Sequence, residues 1–355
     1  EFAVLMPASS GRGEARAVAE RIESALWRPL EVSGQRLRLG ARVGHAVFPQ
    51  DGENFDQLLS VASPGKEGRD ERAWPLGLAG DSGRESGLSL EADLVDALER
   101  GEQFRVFYQP VARLEDDAVV GFEALLRWQH PERGLLDAGA FVPAAEQMGI
   151  IHELERVLLR QAVAEASRWT ERSLPLWTSV NLSLTSLEGE EGGRLLADLV
   201  DASDLPPSRL VVEVTERITA RNPAVARRRL EELHDLGFRI AIDDFGTGHS
   251  SLSYLQRFPL DLLKVDRSFV SRLSEEDEHQ RLVEGILGLA DGLDLDVVAE
   301  GVEVEGQRDW LRSAGCHQYQ GYLLTRARPF GELDDLLENG GLSLGAGLAA
   351  EDRPA

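Results

Sequence analysis

The chain has 355 residues with 62 acidic against 38 basic side chains, a formal charge of −24, so a surface that coats nucleic acid through counterion release is excluded. The single cysteine, Cys316, excludes an internal disulfide and fits a reducing, cytoplasmic setting with packing as its role. No run approaches the roughly 18 apolar residues of a membrane span, and no basic-then-apolar leader opens the chain, although tethering through upstream segments is left open.

In chain order, EFAVLMPA reads as an apolar strand with no turn in front of it, as if the sequence opened inside a domain. Helical spacing of Ala15, Val18, Ile22 and Leu26 follows over 13–27, then strand-like RLRLGARVGHAVFP, a turn at Asp51-Gly52 and a short helix over 55–61. From 63 to 87 the composition shifts to Gly, Pro, Ser and mixed charge, with little that can bury a face. The expected division is a partial domain over 1–67, a linker over 68–87, a main domain over 88–345 and a disordered tail over 346–355.

From Leu88 the pattern becomes regular. Strand-like runs FRVFYQPV, VVGFEALLRW, LWTSVNLSL, RLVVEVTE, RIAIDDF, LLKVDRSFV, DVVAEGVE and QYQGYLL alternate, from the second one on, with segments able to form helices. Over 222–237, Asn222 is placed as cap and Pro223 at the first helical position, Ala226, Leu230 and Leu233 form the apolar stripe, and Gly237 ends the helix. Another predicted helix sets Leu154, Leu158, Ala162, Ala166 and Trp169 on one face. Eight strands with intervening helices over about 250 residues predict an α/β fold, a modified (β/α)8 TIM-type barrel. LEDDA alone joins the first two strands, too short for a helical crossover, so that pair is expected to be antiparallel.

Barrel chemistry gathers where strands deliver their C-terminal ends. Read toward those ends, the strands offer Glu123, Asn181, Glu213 with Glu216, Asp243 with Asp244, Lys264 with Asp266, Glu300 with Glu303, and Gln320. Two carboxylates about 4 Å apart repel by about 4 kcal/mol at an effective dielectric near 20. Gathering Glu123, Glu213, Asp243, Asp244 and Glu300 therefore calls for cations, and an all-oxygen donor set favours Mg²⁺ or Mn²⁺ over zinc. In RIAIDDFGTGHSSLSYL, Asp243 is suited to bridge two ions, with Asp244 brought to the second by a turn that Gly246 and Gly248 permit. Paired metals are a standard device for displacement at phosphorus. Lys264 and Asp266, two apart, would share one strand face, the acid orienting the ammonium.

In this order and spacing, FEALLRW, NLS, EVTE, DDFGTGHSSL, LKVD, AEGVE and QGYLL resemble the EAL-domain phosphodiesterases, which hydrolyse cyclic di-GMP to linear pGpG. The likeness covers roughly Leu88 to Leu337 and implies a homodimeric barrel with two Mg²⁺ or Mn²⁺ ions. By position it implies Glu123, Asn181, Glu213 and Asp243 around the first metal, and Asp243, Asp244 and Glu300 around the second. Lys264 would assist the attacking water with Gln320 and Glu303 close behind, and Glu216 would hold the loop after Asp244. Gln109 and Arg127 match positions that contact the dinucleotide, and Asp266 is grouped with them on the substrate side. His249 stands where tyrosine is common and Ala327 where proline is frequent. The first 67 residues resemble the later half of a GGDEF diguanylate cyclase domain, its usual closing helix replaced by VASPGKEG.

Three rival readings remain: a cyclic di-GMP receptor that binds without cutting, an unrelated barrel enzyme with a metal-held enolate, and an HD-type phosphodiesterase. The last rests only on His234-Asp235, which falls in a predicted helix as a surface pair.

Overall fold

A computed structural model of the protein describes residues 84–338 apart from 189, 217–222, 247–255 and 274–276, together with short pieces between 18 and 62. The opening EFAVLMP, most of the helix expected over 13–27, the stretch 63–83, Asn222, His249 and the tail lie outside the described residues. The chain divides into two compact units, Glu1–Ala92 and Asp93–Ala355. In the first, Leu30–Val32 pairs antiparallel with Gln35–Leu37.

In the second unit eight strands close on one another: β1 Phe104–Arg113, β2 Val119–His130, β3 Trp177–Asn181, β4 Leu210–Thr215, β5 Arg239–Phe245, β6 Leu262–Val265, β7 Asp296–Ala299 and β8 Gln318–Gln320. From β2 to β8 each strand is parallel to the next, whereas β1 is antiparallel to both β2 and β8 and seals the cylinder. The short LEDDA connection leaves the chain no room for a crossover, and Phe104 consequently faces Trp128 while Val111 faces Gly121. Two short strands, Gly134–Asp137 on β2 and Arg328–Pro329 on β1, extend the sheet.

Helix α1, Arg84–Arg100, precedes the barrel with Leu94 and Ala97 fully buried, and its first residues fall in the stretch read as linker. Helix α2, Ile151–Glu171, buries the expected stripe of Leu154, Leu158, Ala162, Ala166 and Trp169, and the Trp169 ring stacks on Phe122 of β2 at 4.5 Å. Helix α3 is Leu184–Glu188, and helix α4, Pro223–Asp235, buries Ala226, Leu230 and Leu233 while His234 and Asp235 stay exposed. LLKVDRSFV departs from its strand reading: β6 stops at Val265 and RSFV turns into helix α5, Arg267–Val270, capped by Asp266. Cys316 is a packing residue, its thiol pushed up to about 12 by burial. None of the described helices is long and apolar enough to cross a membrane.

The barrel interior is layered by the two-residue period of its strands. Val111, Val120, Trp177, Val211, Ala241, Leu262 and Val298 form one apolar cluster inside it. Gly121 lies beside this floor because Trp177 fills the room a side chain would take: a Cβ there would sit 2.2 Å from the indole. Two positions further along five of the strands the character changes: Val211 gives way to Glu213, Ala241 to Asp243, Leu262 to Lys264, Val298 to Glu300 and Gly121 to Glu123. Register alone thus sets a polar ring on an apolar floor.

Candidate active site

The ring is organised around one ammonium. Lys264 Nζ lies 2.8 Å from Glu213 Oε2, 2.7 Å from Glu300 Oε1, and 3.4 Å from both Glu123 Oε2 and Asp243 Oδ1. Its side chain is only 3% exposed, so these attractions act with little solvent screening. Burial alone would lower its pKa, but Asp243, Glu123, Glu213 and Glu300 outweigh that and hold it well above the usual ammonium range.

Carboxylates outnumber the ammonium, and their proton affinities record the excess. Burial pushes the Glu213 carboxyl up to about 8, Glu123 and Asp243 adding to the rise against the pull of Lys264. Burial likewise raises Glu300 well above the ordinary carboxylate range, with Asp243 and Glu123 adding to it. Glu123 behaves oppositely: burial raises it, but Lys264 and hydrogen bonds from Gln320 and Asn181 together hold it below its usual value. Gln320 Nε2 donates to Glu123 Oε2 at 2.6 Å and to Gln109 Oε1 at 3.1 Å, and Asn181 Nδ2 donates to Glu123 Oε1 at 3.2 Å.

Asp243 and Asp244 reach one side of β5 by a β-bulge. Ile242 pairs with Leu263 and Phe245 with Val265, so the two acids together face Lys264 alone. The bend is at Asp244 itself, whose φ is +55°, with Gly246 completing it at +97°. That shifts the turn from the glycines, where the sequence suggested it, to an aspartate whose short polar side chain tolerates left-handed backbone. Ligand atoms of Asp243, Asp244 and Glu300 lie within 4.8 Å of one another, an all-oxygen group able to hold a divalent cation. The donor chemistry and the uncompensated negative charge both fit a hard metal ion.

Other expected residues occupy the periphery. Glu216, 4% exposed, accepts the Gly246 amide at 3.1 Å and so ties the chain just after the bulge. Arg127 is paired with Asp137 at 2.8 Å and lies over the Phe107 ring, while Gln109 faces Glu123 across the β1–β2 ladder. Asp266 accepts from the Ser268 amide at 3.0 Å as helix cap, and the carboxylates within salt-bridge reach of Lys264 are those of Glu123, Glu213, Asp243 and Glu300 instead. The strand ends one residue too early for Asp266 to share the lysine's face. Glu303 is exposed beside the segment that carries Glu300. Glu155 is a residue the sequence reading passed over: on α2 it looks like one more helix-surface acid, yet it is 7% exposed beneath the β3 end.

Residues 91–327 match the family described as EAL domain. An uncharacterised signalling protein of Caulobacter vibrioides is 38% identical over 335 residues, which are 93% of this chain and 41% of that protein. The bifunctional diguanylate cyclase/cyclic di-GMP phosphodiesterase MucR of Pseudomonas aeruginosa is 34% identical over 342 residues, 94% of this chain and 49% of MucR. The chain therefore spans less than half the length of these two relatives. Among solved structures, the PaMucR phosphodiesterase in complex with c-di-GMP aligns at a TM-score of 0.67 and 38% identity, covering 69% of this chain and 99% of that one. The FimX EAL domain from Pseudomonas aeruginosa bound to c-di-GMP aligns at 0.62 and 26% identity, covering 67% and 96%.

Proposed function

The chain belongs to the EAL-domain family, and from that premise we propose that it hydrolyses one phosphodiester bond of cyclic di-GMP to give linear pGpG. The observation that carries the reading is the buried ring in which one lysine meets four carboxylates beside the Asp243, Asp244 and Glu300 group. Two Mg²⁺ or Mn²⁺ ions are proposed, Glu123, Asn181, Glu213 and Asp243 holding the first and Asp243, Asp244 and Glu300 the second. Bound there, such ions would neutralise charge on the phosphoryl oxygens and make water more acidic.

The chain's own groups supply the rest. Lys264 draws the acids together and would steady negative charge as the phosphodiester is attacked. Gln320 and Asn181 hold the two oxygens of Glu123 at 2.6 and 3.2 Å, which keeps that carboxylate ionised and oriented. Glu216 keeps the chain beyond Asp244 in shape through the Gly246 amide. Gln109, Arg127 and Asp266 are proposed on the substrate side, with Glu303 assisting near Glu300. A homodimer formed through the barrel and a cytoplasmic setting are part of the same reading. Residues 1–67 are proposed as the later half of a GGDEF-like domain, followed by a linker over 68–87; alignment of MucR over 94% of this chain supports this.

Purified protein incubated with cyclic di-GMP and Mg²⁺ should yield pGpG, and chelation should stop it. Glu123→Ala should lower turnover by more than about a hundredfold, since even outer-shell partners of a metal can cost that much. Tight binding of the dinucleotide without turnover at any divalent concentration would overturn the reading in favour of a receptor.

A further inference from the structure

Beneath the end of β3 a carboxylate is buried with donors arranged around it. Glu155, on α2, accepts the Ser183 amide through Oε1 at 2.5 Å and the Ser186 hydroxyl through Oε2. Ser183 in turn caps α3, its Oγ accepting the Ser186 amide at 3.2 Å. The residue before it, Leu182, donates its amide to the Glu213 carbonyl at 3.0 Å. Chain direction immediately after Asn181 is therefore fixed from two sides, by the strand that carries Glu213 and by Glu155. Asn181 itself is aimed at Glu123 Oε1.

A helix needs no carboxylate on its buried face, and burial pushes this one up from its usual range, partly offset by the serine donors. An apolar residue would pack against the strand more cheaply, but it would leave the Ser183 amide without its acceptor and the turn after β3 free to relax. We propose that Glu155 is a positioning residue for the metal site, acting through the Ser183–Ser186 turn to hold Asn181 where it can ligate. The inference rests on Asn181 being a metal ligand, as proposed above.

A double-mutant cycle on the full chain separates this from a merely structural role. Mn²⁺ affinity is measured by titration for wild type, Glu155→Ala, Asn181→Ala and the double variant, with melting curves run in parallel. Glu155→Ala should weaken Mn²⁺ binding by about tenfold, the lower end of outer-shell effects, and should add nothing further when Asn181 is already alanine. Glu155→Gln keeps one acceptor oxygen for the Ser183 amide and should recover most of the affinity; if the alanine variant does not fold, the glutamine variant with and without Asn181→Ala decides. Turnover should return toward wild type at saturating Mn²⁺. Equal weakening with and without Asn181, or unchanged affinity in Glu155→Ala, overturns the proposal. If Asn181→Ala alone leaves Mn²⁺ affinity intact, the ligand assignment fails and this inference with it, whereas pGpG production by wild type tests the proposed hydrolysis independently.

Discussion

The floor and the ring of the barrel interior come from the same strands, on β4 to β7 just two residues apart, yet they are opposites. The floor of Val111, Val120, Trp177, Val211, Ala241, Leu262 and Val298 is apolar, and the ring above it concentrates charge around Lys264. Each layer explains the other. Charges about 4 Å apart interact by about 1 kcal/mol in bulk water but about 4 kcal/mol at an effective dielectric near 20, and a dry floor is what keeps the ring in the second regime. In turn, the ring's hydrogen bonds hold side chains that would otherwise repel one another.

Removing the ring's centre should have the largest effect. Lys264→Ala should abolish turnover and, because several buried carboxylates lose their counter-charge, lower stability by about 3–5 kcal/mol in denaturant unfolding without added metal. Added Mn²⁺ should restore part of that stability, since an ion that binds only the folded state favours it. Unchanged stability in the variant would show that the acids do not depend on the ammonium. Breaking the floor instead, Trp177→Ala should cost about 3–5 kcal/mol through the cavity it opens, while turnover assayed well below the melting temperature stays within a few-fold. A collapse of catalysis there would show that the floor also shapes the ring. Gly121→Ala pushes a methyl group into the Trp177 ring and should cost about 1–3 kcal/mol by the same unfolding measurement. Smallest is Asp266→Ala, expected to remove about 1 kcal/mol as a lost helix cap. A turnover loss far beyond that stability change would support the substrate-side role proposed for Asp266 beside its cap, and a loss no larger than that would confine it to the cap.

Much of this was legible in the amino-acid order because strand geometry is local. The polar groups could be placed at the strand ends from strand patterning alone, and the short LEDDA connection foretold the reversed first strand. What escaped depended on partners distant in sequence. The bulge at Asp243 and Asp244 is visible only when β5 is laid against β6, some twenty residues on. Lys264 and Asp266 have ideal spacing for one face, but the strand stops at Val265 and the aspartate serves the next helix. Glu155 could have been suspected from its place beside the Leu154–Leu158 stripe, yet its worth depends on Ser183 and Ser186, which only folding brings near. Helix α1 hid for a compositional reason: Gly87 and the mixed charges at its start look like linker.

The bulge also decides the parity of β5. Counting inward and outward along the strand, Ile242 and Phe245 both pack in the cluster under the surrounding helices, which an unbroken alternation would forbid for residues three apart. Deleting either aspartate is therefore not equivalent to substituting it: a deletion takes out the extra residue, and the ladder would straighten with Ile242 and Phe245 still on one side. Phe245 would keep its place in the apolar cluster while the strand lost one of its two acids. Only a straight ladder with both aspartates retained would turn Phe245 to the charged side, so the bulge is what lets one strand offer two ligands and keep its hydrophobic back.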